Sequence, residues 1–193
     1  DVDGEIARLV VNGVDVTTYV NERDEWFDLR SRVRPTDVDS IRDGTPVFVA
    51  AWEAAIQRAR ALPREQQHAS VDGEWSFVQT LRHLVFATDK WFTVPVGGGG
   101  FHATGLPNTG SADFGWDGLD PAAAPSLDDA IGVWRDRWDR LQHDVAGLDP
   151  AGLDVEVEVL ENGTTAVHDC IGVVFEEHFE HLRYATRDLA RLE

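Results

Sequence analysis

Apolar positions recur at three- and four-residue spacing along four stretches of the chain, the pattern of helices that bury one face. Phe48, Trp52, Ala55, Ala59 and Leu62 form the first stripe. Thr45-Pro46 is the expected start, a capping residue followed by proline at the first helical position, and Pro63 the expected stop. The second stretch begins between Asp72 and Ser76 and reaches about Phe92. Trp75, Phe77, Val78, Leu81, Leu84, Val85 and Trp91 make it apolar on most sides, so a central helix is expected. Ser126-Leu-Asp-Asp129 opens the third like a capping box with Asp in place of Glu, ahead of Ala130, Val133, Trp134, Leu141 and Val145, with Gly147 as its C-cap. The fourth spans about Val167 to Leu192.

Two segments follow a different rule. Residues 5–20 and the stretch from Val155 to Val167 are rich in β-branched residues around Asn12-Gly13 and Asn162-Gly163, and each predicts a short hairpin turning at Asn-Gly. A charged connector runs on to about Arg42, with a turn or break at Pro35. Residues 93–125 hold Gly97 to Gly100, several prolines and no sustained periodicity; Phe101, Phe114 and Trp116 suggest a packed loop rather than a free linker. The expected fold is therefore all-α, a four-helix bundle with small β-hairpin additions and a long loop between helices two and three. The long connections leave room for crossovers. One domain is expected over residues 1–193, with a hairpin and connector at 1–43 and the helical bundle at 44–193.

Charge narrows the partners. The 193-residue chain carries a formal net charge of −18, and Lys90 is its one lysine. Such a surface repels phosphate backbones and anionic bilayers, so neither nucleic acid nor membrane is expected as a partner. No apolar run approaches the roughly 20 residues of a membrane span. The opening Asp-Val-Asp-Gly-Glu lacks the basic and apolar regions of a signal peptide, and a cytoplasmic location is expected. Cys170 stands alone, which rules out an intramolecular disulfide. Its Val- and Ile-rich surroundings suit an inert packing thiol better than a nucleophile.

The candidate chemistry sits in Glu176-Glu-His-Phe-Glu-His181. Glu177 and His181 are four apart and share one helical face, on an otherwise largely apolar wall. That is either a surface ion pair or half of a divalent-metal site lacking a ligand from elsewhere. His83, in the apolar second helix, is the best third ligand, since a buried histidine needs a partner. Two histidines and a carboxylate suit Zn²⁺, with Ni²⁺ or Fe²⁺ also possible, and leave coordination positions open. His178 could compete with Glu177 but is rotated about 100° from it. His102, on the Gly-rich loop, could reach the mouth of the site. Asp89 and Lys90 read most simply as a solvated helix end. Gly97 to Gly100 lack the lysine and the strand–loop–helix setting of a phosphate loop.

These residues resemble a known family. Gly73-Glu-Trp-Ser-Phe-Val-Gln-Thr-Leu-Arg-His-Leu-Val-Phe-Ala-Thr-Asp89 is similar to the second-helix motif of the DinB superfamily, and Glu176-Glu-His-Phe-Glu-His-Leu-Arg-Tyr-Ala-Thr-Arg-Asp-Leu189 to its final-helix motif in actinobacterial members. Phe101-His-Ala-Thr-Gly-Leu-Pro107 and Val10-Val-Asn-Gly-Val-Asp-Val16 resemble the same branch. The resemblance implies a four-helix bundle with a three-ligand metal site. Members similar to mycothiol-dependent maleylpyruvate isomerase and mycothiol transferases use His followed by Glu-x-x-x-His, which maps onto His83, Glu177 and His181. His178 departs from the pattern, standing where that branch usually carries Trp, so the pocket or an added polar contact differs there. The implied activity is a metal-dependent S-transferase or isomerase acting on a low-molecular-weight thiol and a small electrophilic substrate, as a monomer or homodimer. A metal-dependent hydrolase and a non-enzymatic small-ligand-binding bundle are the alternatives.

Overall fold

The computed structural model describes residues 7–111, 116–120 and 122–193. The first two residues of the expected N-terminal hairpin, and Phe114 of the long loop, lie outside the described residues. Strands β1 (Val10–Val11) and β2 (Val14–Asp15) pair antiparallel. Asn12 and Gly13 both take positive φ, 52° and 81°, as the expected two-residue turn requires. Of two short helices, α1 (Thr17–Asn21) replaces the end of the stretch read as hairpin, and α2 (Phe27–Arg30) lies in the connector.

Helix α3 (Val38–Ala61) starts two turns earlier than Thr45-Pro46 suggested. Asp37 caps it, accepting from Ser40 N–H at 2.7 Å, while Ser40 Oγ accepts from the Asp37 N–H at 3.0 Å. This reciprocal box satisfies two orphan amides, and Val38 and Ile41 extend the apolar stripe upstream of Phe48. Pro46 is therefore a helix-interior proline. Thr45 beside it turns its hydroxyl back onto the Ile41 carbonyl at 2.7 Å.

After the short α4 (Arg64–Gln67), helix α5 (Phe77–Thr88) opens with a Ser76–Gln79 capping box. Every residue from Thr80 to Lys90 is buried, so this is the central helix that its all-round apolarity indicated. It continues as a π-helical turn, Asp89–Thr93. The solvated end expected at Asp89 and Lys90 is absent. Asp89 is fully buried against Arg137, and Lys90 reaches Glu161 at 2.6 Å. A wider turn re-aims side chains inward, and both charges find partners supplied by distant parts of the chain.

Helix α6 (Leu127–Ala146) is capped by Ser126 with Asp129, and α7 (Val167–Leu192) runs as the pattern indicated. Gly147 follows α6 but keeps a right-handed conformation, φ −89°, so its freedom from a Cβ is not used there. Strands β3 (Glu156–Glu158) and β4 (Thr164–Ala166) pair antiparallel. Their connection is longer than an Asn-Gly turn: a 3₁₀ turn over Leu160–Asn162 precedes Gly163 at φ +73°.

Helix α3 packs against α6 and α7, and α5 packs against the same two, so α3 and α5 lie on opposite corners of the bundle. Of the consecutive long helices, α3 and α5 are thus diagonal, as are α6 and α7, while α5 and α6 are adjacent, an order the long connections permitted. Trp52 and Phe48 of α3, Trp134 and Trp138 of α6, and Phe175 of α7 fill the centre. Each such ring removed from water contributes about 1.5–3 kcal/mol. Gly44 admits Phe175 to the α3–α7 seam, where a Cβ would stand 3.1 Å from the ring. No helix among the described residues is long and apolar enough to cross a membrane.

Candidate metal centre

Two helices meet at the candidate site because each buries an apolar face against the other. α5 presents His83 and α7 presents Glu177 and His181 one turn apart. His83 Nε2 and His181 Nε2 each lie 3.3 Å from Glu177 Oε2. One donor atom from each of the three residues falls within 4.8 Å of the others, the one such His/Cys/Asp/Glu group among the described residues. His83 is buried, while the side chains of His181 and Glu177 retain 23% and 33% exposure, so the cluster has a closed back and an accessible front.

Both ends of the His83 ring are engaged. Nδ1–H donates to the Leu106 carbonyl at 3.1 Å, which fixes a proton there and turns Nε2 toward the cluster, within 3.3 Å of Glu177 Oε2. A backbone carbonyl holding the far nitrogen is the usual support of a metal-ligating imidazole. Trp75, read from sequence as one more apolar position of the helix, instead walls the cluster. Its ring centroid lies 4.4 Å from that of His83, and it stacks on His181 at 5.7 Å with 21° between planes. Burial opposes charge on Glu177, yet the hydrogen bonds and positive fields of His181 and His83 outweigh it and hold the carboxyl well below the usual carboxylate range. An ionised oxygen facing two imidazole nitrogens is a donor set that fits a divalent cation.

His178 lies inside the core, fully buried among Trp52, Trp134 and Trp138, rather than on an accessible pocket wall. Its Nδ1–H donates to the Val174 carbonyl at 2.7 Å and its Nε2 accepts from Trp134 Nε1 at 3.2 Å. Burial pushes this imidazole down to about 3, against the pull of the Val174 bond. The 100° offset from Glu177 thus sends it between α3 and α6. His102 is half-buried and committed to its own loop, its Nδ1 accepting from Thr104 N–H at 3.1 Å. Cys170 is fully buried, and burial followed by the nearby Asp169 charge raises its thiol to about 11. Tyr184 of α7 is exposed and lies under Arg187.

Sequence patterns had no way to show the Leu106 carbonyl, since a backbone acceptor carries no residue signature. Only the adjacency of Leu106 to Pro107 on an ordered loop hinted at a fixed backbone there.

No curated protein and no solved structure matches the chain. The model of the DinB superfamily matches residues 48–185, a span that includes His83, Glu177 and His181 and well over half of the sequence. A four-helix bundle with a His/Glu/His group that could hold a metal ion is in keeping with this family of metal-binding proteins, and the chain belongs to the DinB superfamily.

Proposed function

We propose that the protein is a divalent-metal-dependent S-transferase or isomerase that combines a low-molecular-weight thiol of the mycothiol type with a small electrophile. The observation that carries this reading is the convergence of His83, Glu177 and His181, with the remote nitrogen of His83 already spent on Leu106. The Glu-x-x-x-His arrangement of α7 and its resemblance to mycothiol-using members supply the reaction class. These three residues would hold a divalent ion, Zn²⁺ by preference, which would supply Lewis acidity to lower the pKa of a thiol.

The chain's own residues have defined parts. Leu106 holds a proton on His83 Nδ1, so Nε2 is the nitrogen turned to the cluster. Glu177 stays ionised and brings negative charge to the cluster. Trp75 shields one flank of both histidines from water. The thiol must arrive with a cosubstrate, because Cys170 is buried and its thiol is pushed up to about 11. A chain of net charge −18 also suits a small-molecule partner better than a nucleic acid or an anionic membrane.

The hydrolase alternative needs a general base beside the cluster, and the neighbouring candidates are Glu176, which is exposed, Glu180 and His178. His178 has both nitrogens engaged in the core, and Glu180 pairs with Arg183 at 3.2 Å. Thiol transfer needs no such base and is favoured for that reason. Metal content of the purified protein separates both enzyme readings from a non-enzymatic bundle, and about one equivalent is expected. Metal-loaded protein is then given a low-molecular-weight thiol with a reactive electrophile, in parallel with an ester panel. Thiol conjugation is the expected outcome; ester cleavage without conjugation overturns the transferase reading.

A further inference from the structure

Asp89 has no part in the cluster, yet it is among the most deeply buried charges of the chain, at 0% exposure. It opens the π-helical turn that follows α5, the element bearing His83. Arg137 of α6, itself 6% exposed, grips it with a fork: Nε to Oδ1 at 2.5 Å and Nη2 to Oδ2 at 3.3 Å. The same Oδ2 accepts the backbone N–H of His102 at 2.8 Å. A carboxylate taken out of water is tolerable only when its lone pairs are filled, and here the last donor comes from the long loop.

From His102 the contacts continue toward the cluster. Gly105 N–H returns to the His102 carbonyl at 2.9 Å, and Arg82 Nε donates to the Thr104 carbonyl at 2.9 Å. Leu106 N–H donates to the Arg82 carbonyl at 3.0 Å, and the Leu106 carbonyl receives Nδ1–H of His83. Phe101 stacks on Phe86 at 5.6 Å, covering the same stretch. The loop is thus held at one end by the buried ion pair, and at the other it holds the ring of His83.

We infer that the Asp89–Arg137 pair is a latch that docks the 101–107 loop and thereby fixes the His83 imidazole toward Glu177 and His181. Asp89 is a positioning residue in this scheme, acting through His102 N–H and the Leu106 carbonyl. The inference rests on the metal reading above for its consequence, and on the hydrogen-bond chain alone for its mechanism.

The test uses the full chain with Asp89→Leu and Arg137→Met together, because apolar replacement of both partners of a buried pair leaves folding near neutral or improves it. Unchanged thermal stability with Zn²⁺ affinity weakened 10–100-fold is the expected result, the range typical of lost outer support, and is read by competition with a chromophoric chelator. The Co²⁺ absorption spectrum should change with it. In metal-free protein the His102 amide and the His83 Nδ1–H should exchange with solvent much faster than in wild type. Asp89→Asn, which keeps an acceptor but loses the charge, should give an intermediate effect on both measures. Wild-type affinity and wild-type exchange in the double variant overturn the latch. A wild-type protein that binds no Zn²⁺ overturns the metal centre instead, and the exchange rates then decide the latch independently.

Discussion

A histidine sealed among three tryptophans should leave a mark on the pH dependence of stability. His178 is fully buried, and its imidazole, ordinarily at 6.5, is pushed down to about 3 by burial. The folded chain therefore refuses a proton that the unfolded chain accepts. Stability is complete above the unfolded value near 6.5, falls as pH drops below it, and stops falling once the folded value near 3 is passed. Between pH 7.5 and pH 5 the loss amounts to about 2 kcal/mol, and for a chain of this size to about 4–8 °C in melting temperature. His178→Phe keeps a ring of similar size and removes the titration. It also strands the Trp134 indole N–H, at a cost of about 1–3 kcal/mol that is the same at every pH. The assay is urea unfolding of wild type and variant in chelator at pH 7.5, 6 and 5. All other titratable groups are common to both proteins, so the difference between the two curves isolates the His178 imidazole. The variant should start less stable and converge on wild type by about 2 kcal/mol as the pH falls to 5. Curves that stay parallel over this range would refute the assignment of a buried, neutral His178.

Three further outcomes follow from the same contacts. His83→Ala, Glu177→Ala and His181→Ala should each remove stoichiometric metal binding, losing more than the roughly 10–100-fold that outer-partner substitutions cost; a variant retaining one tight equivalent by calorimetry would show that the ligand set is wrong. Cys170, fully buried, should resist alkylation in the native protein at pH 8 and react in urea, as read by mass spectrometry, and Cys170→Ala should match wild type in the thiol-conjugation assay. Arg137→Ala alone leaves Asp89 buried without its fork and should cost about 3–5 kcal/mol in denaturant unfolding, whereas joint apolar replacement of the pair should not.

The helical register of the site was legible from residue spacing because a helix is a local object. Glu177 and His181 share a face wherever an α-helix runs through them, and the same geometry turns His178 away. Boundaries were legible where the capping chemistry was unambiguous, as at Ser126. They failed at Thr45-Pro46, where a good local start signal lost to the Asp37–Ser40 box and to the burial of Val38 and Ile41. Proline after threonine marks a start only if nothing upstream already holds the helix.

What no spacing could disclose depends on residues far apart in the chain. The diagonal placement of α3 and α5 follows from which faces fit together, not from any one face. Asp89 looks like a solvated helix end until Arg137, 48 positions away, is brought against it. Trp75 looks like core until it is found lying on two histidines, one from α5, which it precedes, and one from α7. Amino-acid order sufficed for four amphipathic helices, two hairpins and three side chains able to share a cation. Only packing brings His83 to within 3.3 Å of Glu177 across 94 residues, because that contact is made by the burial of two apolar faces and not by either ligand.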